Sequence, residues 1–341
     1  MNMKDIARAL GVSQTTVSLT LSGKADKYGI SAETQARIRE YVRTVGYVPD
    51  SNAAAMASGR TRGVGIIIPS DAREITEAQR AIFFGLLQAL HGEGIIPLIQ
   101  AIDEETCYDG IRALAGRKVE DLVVIGFTAI TLCDICPDIL PLIRRWHVYL
   151  VDHLFSEEPD AASPLAGAVR IGIDRERSFQ AAADLLRACG HRTIGTVPAV
   201  LYFLKGLIGG PLQFITLPVD DRTEDIYKRG RRMLPAVREA MRENCTAVML
   251  RDDMMALGLA AALREDGCRV PDDISIIGFD NIPATAYAAV PLTTVEVPAQ
   301  GMLDTLCARL LHGEHGAQDC LLPGRLVKRA SVGMAPVLSK I

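Results

Sequence analysis

From residue 63 onward the chain alternates short apolar runs with segments of helix length, and this pattern decides its fold class. The runs fall at 64–69, 95–99, 122–125, 148–151, 168–173, 194–197, 247–250 and 274–277. Continuous apolar strands, unlike strands that alternate with polar residues, belong to parallel sheets covered by helices on both faces. That many strand–helix units, in a chain of 341 residues, exceed one core and predict two lobes. Ligands of such sheets bind at the carboxyl ends of the strands, so a cleft is expected between the lobes. No apolar run reaches the length needed to span a bilayer.

The first 22 residues follow a different rule. Ile6, Ala7 and Leu10 recur at helical spacing, and Gly11 then stops the helix in the left-handed conformation that glycine tolerates. Ser13 can cap a second helix, in which Val17 and Leu21 stack at i, i+4 toward the first. Gln14, Thr15, Ser18, Leu19 and Ser22 are expected to share the opposite face. That face is small, polar and uncharged, whereas an ordinary solvated face would carry Lys and Glu. Short hydrogen-bonding side chains suit a helix that enters a DNA major groove, and helix–turn–helix is the motif that presents one. Ser31 can cap a third helix with an apolar stripe of Ala36, Ile38, Val42 and Val45, ended by Gly46.

Charge is split in the direction this reading needs. The whole chain carries a net charge of −4, but residues 1–62 hold nine Lys and Arg against five acids, or +4. The remaining 279 residues hold 28 cations and 36 acids, or −8. A basic head on an acidic body suits a head that meets phosphates. Residues 49–62 are alanine-rich, bounded by Asn52 and Gly59, and too short to hold as a helix alone in water. A segment that exposes one large apolar residue, Met56, and ends in two arginines reads as a hinge helix that orders on binding.

Other chemistries find little support. The eight cysteines are scattered, and Cys133 and Cys136 form a lone CxxC with no second pair for zinc. There is no GxGxxG after the first strand, no P-loop, no GxSxG and no HExxH, and the six histidines lack triad spacing. No enzyme activity, cofactor or metal is expected. The first ten residues hold no apolar stretch of a signal peptide, so a cytoplasmic location without a membrane partner is expected.

The chain resembles the lactose-repressor (LacI/GalR) family of bacterial transcription regulators. The matching residues in the head are Asp5-Ile6-Ala7, Gly11-Val12-Ser13, Thr15-Thr16-Val17-Ser18, Gly46, Tyr47, Pro49 and the hinge from Asn52 to Met56. In the body, Asp174, residues 181–186, Gly190-His191-Arg192, residues 253–258, Val270-Pro271-Asp272-Asp273, Gly278-Phe279-Asp280 and residues 291–295 match in order. The resemblance implies an all-α helix-turn-helix headpiece at 1–48, a hinge at 49–62, and a two-lobed body at 63–341. That body would be periplasmic-binding-protein-like, with doubly wound parallel sheets. The first lobe is expected at about 63–166 and 293–318, and the second at about 167–290 and 320–341. The implied function is a repressor that binds a near-palindromic operator as a homodimer, under control of a sugar-like effector. No terminal leucine heptad that would join dimers into tetramers follows the last lobe.

The expected DNA-contacting residues are Lys4, Gln14, Thr15, Thr16, Ser18, Leu19, Asn52, Ala53 and Met56. Leu19 stands where the family often has Arg or His, which trades guanine reading for contact with a thymine methyl. Met56 takes the place of a leucine that wedges into the minor groove. The expected effector set is Ser70, Asp152, Phe203, Lys205, Asp252 and Asp280. Sugar-binding members combine an Arg, an Asn and an Asp. Here only Asp280 is kept, Asp252 replaces the Asn, and residues 198–210 hold no Arg, with Phe203 near its place and Lys205 as a substitute. Two acids and aromatic surface favour a neutral or cationic ligand over a phosphorylated one. A regulator without effector response and a two-lobed sugar-binding protein stay open as alternatives.

Overall fold

A computed structural model of the chain describes residues 2–47, 63–71, 75–103, 105–117, 119–126, 140–152, 167–207, 210–219, 225–312 and 318–336. It divides into two units, Met1–Thr61 and Arg62–Ile341.

The first unit holds helices α1 (Met3–Leu10), α2 (Gln14–Leu21) and α3 (Ala32–Thr44). α1 starts with a capping box: Asn2 accepts from the Lys4 and Asp5 amides, and Asp5 accepts from the Asn2 amide. It stops at Gly11, where φ is 67° and the Val12 amide turns back to the Ala7 carbonyl at 3.0 Å. Ile6, Ala7, Val17 and Ile38 form the buried core, with Leu10, Leu21, Tyr41 and Tyr47 packed around them. The stripe expected on α3 needs one correction. Ala36 is exposed, and Gln35 takes the inward position, donating to Asp26 Oδ1 at 2.7 Å and the Ile30 carbonyl at 2.9 Å. Residues 35, 38, 42 and 45 keep helical spacing, but an apolarity pattern cannot see a glutamine buried for its hydrogen bonds.

The second unit is built on two parallel sheets. The first has β1 (Gly63–Pro69), β2 (Leu98–Ile102), β3 (Val119–Ile125), β4 (His147–Val151), β5 (Val169–Asp174) and β11 (Cys320–Pro323), in the order β11-β5-β4-β3-β1-β2. The second has β6 (Thr193–Thr196), β7 (Gln213–Thr216), β8 (Ala247–Met249) and β9 (Ser275–Ile277), in the order β7-β6-β8-β9. β10 (Thr294–Glu296) and β12 (Arg325–Val327) form a separate antiparallel pair. Along β1 and β3, Ile66, Val123 and Ile125 pack on one face, and Ile67, Leu122 and Val124 on the other. Helices α4 (Glu77–Gly92) and α5 (Cys107–Ala115) cover those two faces, which is why the strands read as unbroken apolar runs.

Two expectations shift. The strand expected at 95–99 begins only at Leu98, because Gly94 (φ 70°) and the Ile95 amide, bonded to the Leu90 carbonyl at 2.8 Å, are still ending α4. The segments 169–174 and 320–323, expected in the second lobe, join the first sheet instead. Leu150 pairs with Arg170, and Cys320 with Ile171. The chain therefore leaves the first sheet after Asp174, whose side chain caps α6 (Arg175–Ala188).

The second sheet carries α7 (Pro198–Phe203), α8 (Ile226–Arg232), α9 (Leu234–Arg242) and α10 (Asp253–Glu265); α11 (Ala299–His312) packs against α4 of the first lobe. α8 and α10 cross with backbones in contact. A Cβ on Gly258 would lie 2.0 Å from the Tyr227 carbonyl oxygen, and one on Gly230 would lie 2.0 Å from that of Met255. No helix among the described residues is long and apolar enough to cross a membrane.

Candidate functional site

The first candidate surface is α2. Ser13 caps it, accepting from the Thr16 amide at 3.0 Å, with the two hydroxyls 2.8 Å apart. Val17 and Thr20 point inward, and the Thr20 hydroxyl donates to the Thr16 carbonyl at 2.8 Å. Gln14, Thr15, Ser18 and Ser22 are exposed together, as is Lys4 on α1. Leu19 and Thr16 are half-buried, so Leu19 stands at the edge of that face, not on its crest. The outer surface of α2 thus offers an amide and hydroxyls without charge, groups that can donate and accept at base edges. Removing the cap in Ser13→Ala is expected to cost about 1 kcal/mol of local stability. Amide exchange at residues 16–20 should then speed up about fivefold by that figure. Asn52, Ala53 and Met56 lie outside the described residues.

The second candidate is a cavity of about 880 Å³ between the lobes of the body. It lies where β1, β7 and β8 run out toward the N-termini of α4, α8 and α10. Each of those termini is already capped. Thr76 accepts from the Gln79 amide at 3.2 Å, Asp225 from Lys228 at 3.0 Å, and Asp252 from Met255 at 3.0 Å. Asp71, Glu77 and Arg80 line the cavity from the first lobe, and Tyr227, Arg229, Met254, Asp280 and Ile282 from the second.

Four carboxyls gather at its inner end. Asp253 is fully buried, accepting from the Thr294 hydroxyl at 2.6 Å and the Ile282 amide at 3.0 Å. Burial pushes its pKa up to about 7. Burial also raises Asp252. Asp280 is half-buried with φ at 109°, a conformation that aspartate rarely adopts outside functional sites or turns. Its carboxyl is held well above the ordinary carboxylate range, first by burial and then by the charges of Asp252, Asp253 and Asp152, with Arg175 opposing. Asp152 is buried and pairs with the Arg175 guanidinium at 3.1 Å.

Of the six expected effector residues, Asp252 and Asp280 line this cavity. Asp152 sits behind it and acts through charge. Ser70 is exposed and donates to Asp103 at 3.0 Å. Phe203 does not line this cavity: it is half-buried, packs against the core and stacks on Phe179, with ring centroids 5.8 Å apart. Lys205 lies over the Tyr202 ring at 3.8 Å. An aromatic side chain at the end of a short helix seeks the core first. The sequence reading missed Glu77 and Arg80, although Thr76 and Gln79 spell a capping box that places both on the first turn of a helix. It also missed Tyr227 and Arg229, which follow the cap Asp225.

The profile of bacterial regulatory proteins of the lacI family matches residues 2–50, and that of the periplasmic binding protein-like domain matches residues 202–332. The chain joins a lacI-family helix-turn-helix domain to a periplasmic-binding-protein-like domain. Its fold is a helix-turn-helix head followed by a two-lobed body of parallel sheets, as in the lac repressor. The chain is 26% identical to the HTH-type transcriptional repressor PurR of Vibrio cholerae serotype O1, with 97% of both chains covered. It is 27% identical to the HTH-type transcriptional regulator MalR of Streptomyces coelicolor, covering 98% of this chain and 97% of the other. The lac repressor dimer bound to operator and the anti-inducer ONPF has the same fold, with a TM-score of 0.72 at 21% identity, covering 98% of this chain and 99% of that one.

Proposed function

We propose that this chain is a transcriptional repressor that binds operator DNA through α2 and is controlled by a small molecule in the interlobe cavity. It is a regulator, not an enzyme. The observation that carries the reading is the uncharged, exposed polar face of a capped α2, on a basic head that matches the lacI family. Gln14, Thr15 and Ser18 read base edges, Leu19 touches thymine methyl groups from the edge of the face, and Lys4 and Thr16 meet phosphates. Asn52, Ala53 and Met56 belong to a hinge that enters the minor groove. Thr15→Ala is expected to cost about 1–3 kcal/mol at the preferred site and little on random DNA. Fluorescence anisotropy on both DNAs measures this. Equal losses on the two would mean that α2 does not read sequence.

The active species is a homodimer in the cytoplasm, and its operator is near-palindromic because two-fold protein symmetry is mirrored in the site. The first lobe supports this with exposed apolar residues near the edge strand β2: Phe84 is 62% exposed, Ile96 79% and Ile99 41%. Charges placed there should block association. Phe84→Glu with Ile99→Lys is expected to convert the dimer to monomer in sedimentation at micromolar concentration, with at least a hundredfold loss of operator affinity, or about 3 kcal/mol.

A further inference from the structure

We infer that the cavity takes a small hydroxylated organic cation, such as an amino sugar or amino alcohol, seated against the carboxyls of Asp280 and Asp252. The inference rests on the effector-controlled reading above and names the class of ligand.

The lining is acidic: Asp71, Glu77, Asp225, Asp252 and Asp280 face two arginines, Arg80 and Arg229. Arg80 is already engaged, donating to the Ile75 carbonyl at 3.1 Å and pairing with Glu77 at 3.7 Å. Asp225 pairs with Lys228 at 3.4 Å. Asp280 is different. Its amide bonds to the Val295 carbonyl at 2.8 Å, but among the described residues nothing donates to its carboxyl. A half-buried acceptor at the wall of a cavity, with no donor of its own, can take one from a ligand.

The charge of that ligand follows from the neighbours. Asp252 and Asp253 at the start of α10 and Asp152 after β4 all raise the cost of ionising Asp280, and Arg175 on α6 compensates only in part. A carboxylate or phosphate would add a further negative charge. Helix N-termini could have offset that, but the three that open here are capped by side chains. A neutral polyol can satisfy the lone pairs and leaves the repulsion among the acids in place. An ammonium group satisfies the lone pairs and offsets the repulsion. Hydroxyls on the same ligand suit the remaining acceptors of Asp252 and Glu77. A cation also favours ionised acids, so its binding releases protons, whereas a neutral sugar releases none.

The test uses the full-length chain at pH 7 in thermal-shift and calorimetric titrations. Glucosamine, galactosamine, mannosamine, meglumine and ethanolamine are each compared with the matching hydroxyl compound: glucose, galactose, mannose, sorbitol and ethylene glycol. Gluconate and glucose 6-phosphate serve as anions. The expected result is that at least one amine binds tenfold or more tightly than its neutral counterpart and releases protons in buffers of differing ionisation enthalpy. That preference should be lost in Asp280→Asn, and also in Asp252→Asn, which keeps a residue that caps helices equally well. If no amine exceeds its counterpart, if an anion binds best, or if the preference survives both substitutions, the inference is overturned. Operator binding measured on the same preparations separates the outcomes, since intact DNA recognition without an amine response rejects the ligand class alone.

Discussion

Gly258→Ala is expected to destabilise the body by at least about 3 kcal/mol, because overpacking commonly costs 1–3 kcal/mol and here the obstacle is rigid. The added methyl would stand 2.0 Å from the Tyr227 carbonyl oxygen. That atom belongs to backbone, so no side chain can rotate away. α8 and α10 would have to part, and both carry cavity residues on their first turns. Loss of stability and loss of ligand response should therefore come together. Gly206→Ala is the matched control, since its new methyl meets nothing within 4 Å. Denaturant unfolding followed at Trp146 would read both variants. A Gly258→Ala protein as stable as the parent would mean that the helices do not cross this closely.

The stability of the body should fall as pH rises from about 4 to 7, with Asp253 as one cause. Its pKa moves from an ordinary 3.8 when unfolded to about 7 when folded. A group raised in this way contributes stability that is complete below its unfolded value and is lost as pH climbs through its folded value. The slope is about 1.4 kcal/mol per pH unit for one proton. Asp252 and Asp280 are raised too, and add in the same direction. His191 opposes them below its ordinary 6.5. It is buried against Thr246 at 2.8 Å, and desolvation lowers its pKa, so acid pH charges it unfavourably. Asp253→Asn should flatten the slope. It should also lower stability in acid by about 1–3 kcal/mol, since an amide can accept from Thr294 or Ile282 but not from both. Thermal melts across pH 4.5–8 measure this. A parallel slope in parent and variant would acquit Asp253.

Reading from residues alone reached far where apolar pattern and helix punctuation agree. Gly11 and Ser13 mark the turn before α2, and the runs at 122–125 and 148–151 are buried strands, because such signals are local. It failed where burial serves hydrogen bonding, as at Gln35, or where a strand is short and half-exposed. β7 and β11 are four residues each and partly exposed, and β7 begins and ends on the polar Gln213 and Thr216, so neither stands out as a buried strand. Which sheet a strand joins depends on contacts distant in sequence, such as the Arg170 amide bonded to Asp319 at 2.9 Å. The cavity divided along the same line. Asp252 and Asp280, legible from the family pattern, line the cavity, whereas Phe203 packs beside Phe179 outside it, because alignment carries no information on which way a ring turns. Asp253 was legible as part of the motif at 253–258, but its fully buried state was not.

Selection of bound sequences from a random duplex DNA pool by the full-length chain tests the regulator reading most directly. The expected result is enrichment of a near-palindromic site with two half-sites about one helical turn apart. Thr15→Ala should relax the preference at one position in each half while leaving non-specific binding in place. An unenriched pool, or an enriched site without two-fold symmetry that Thr15→Ala leaves unchanged, would contradict it.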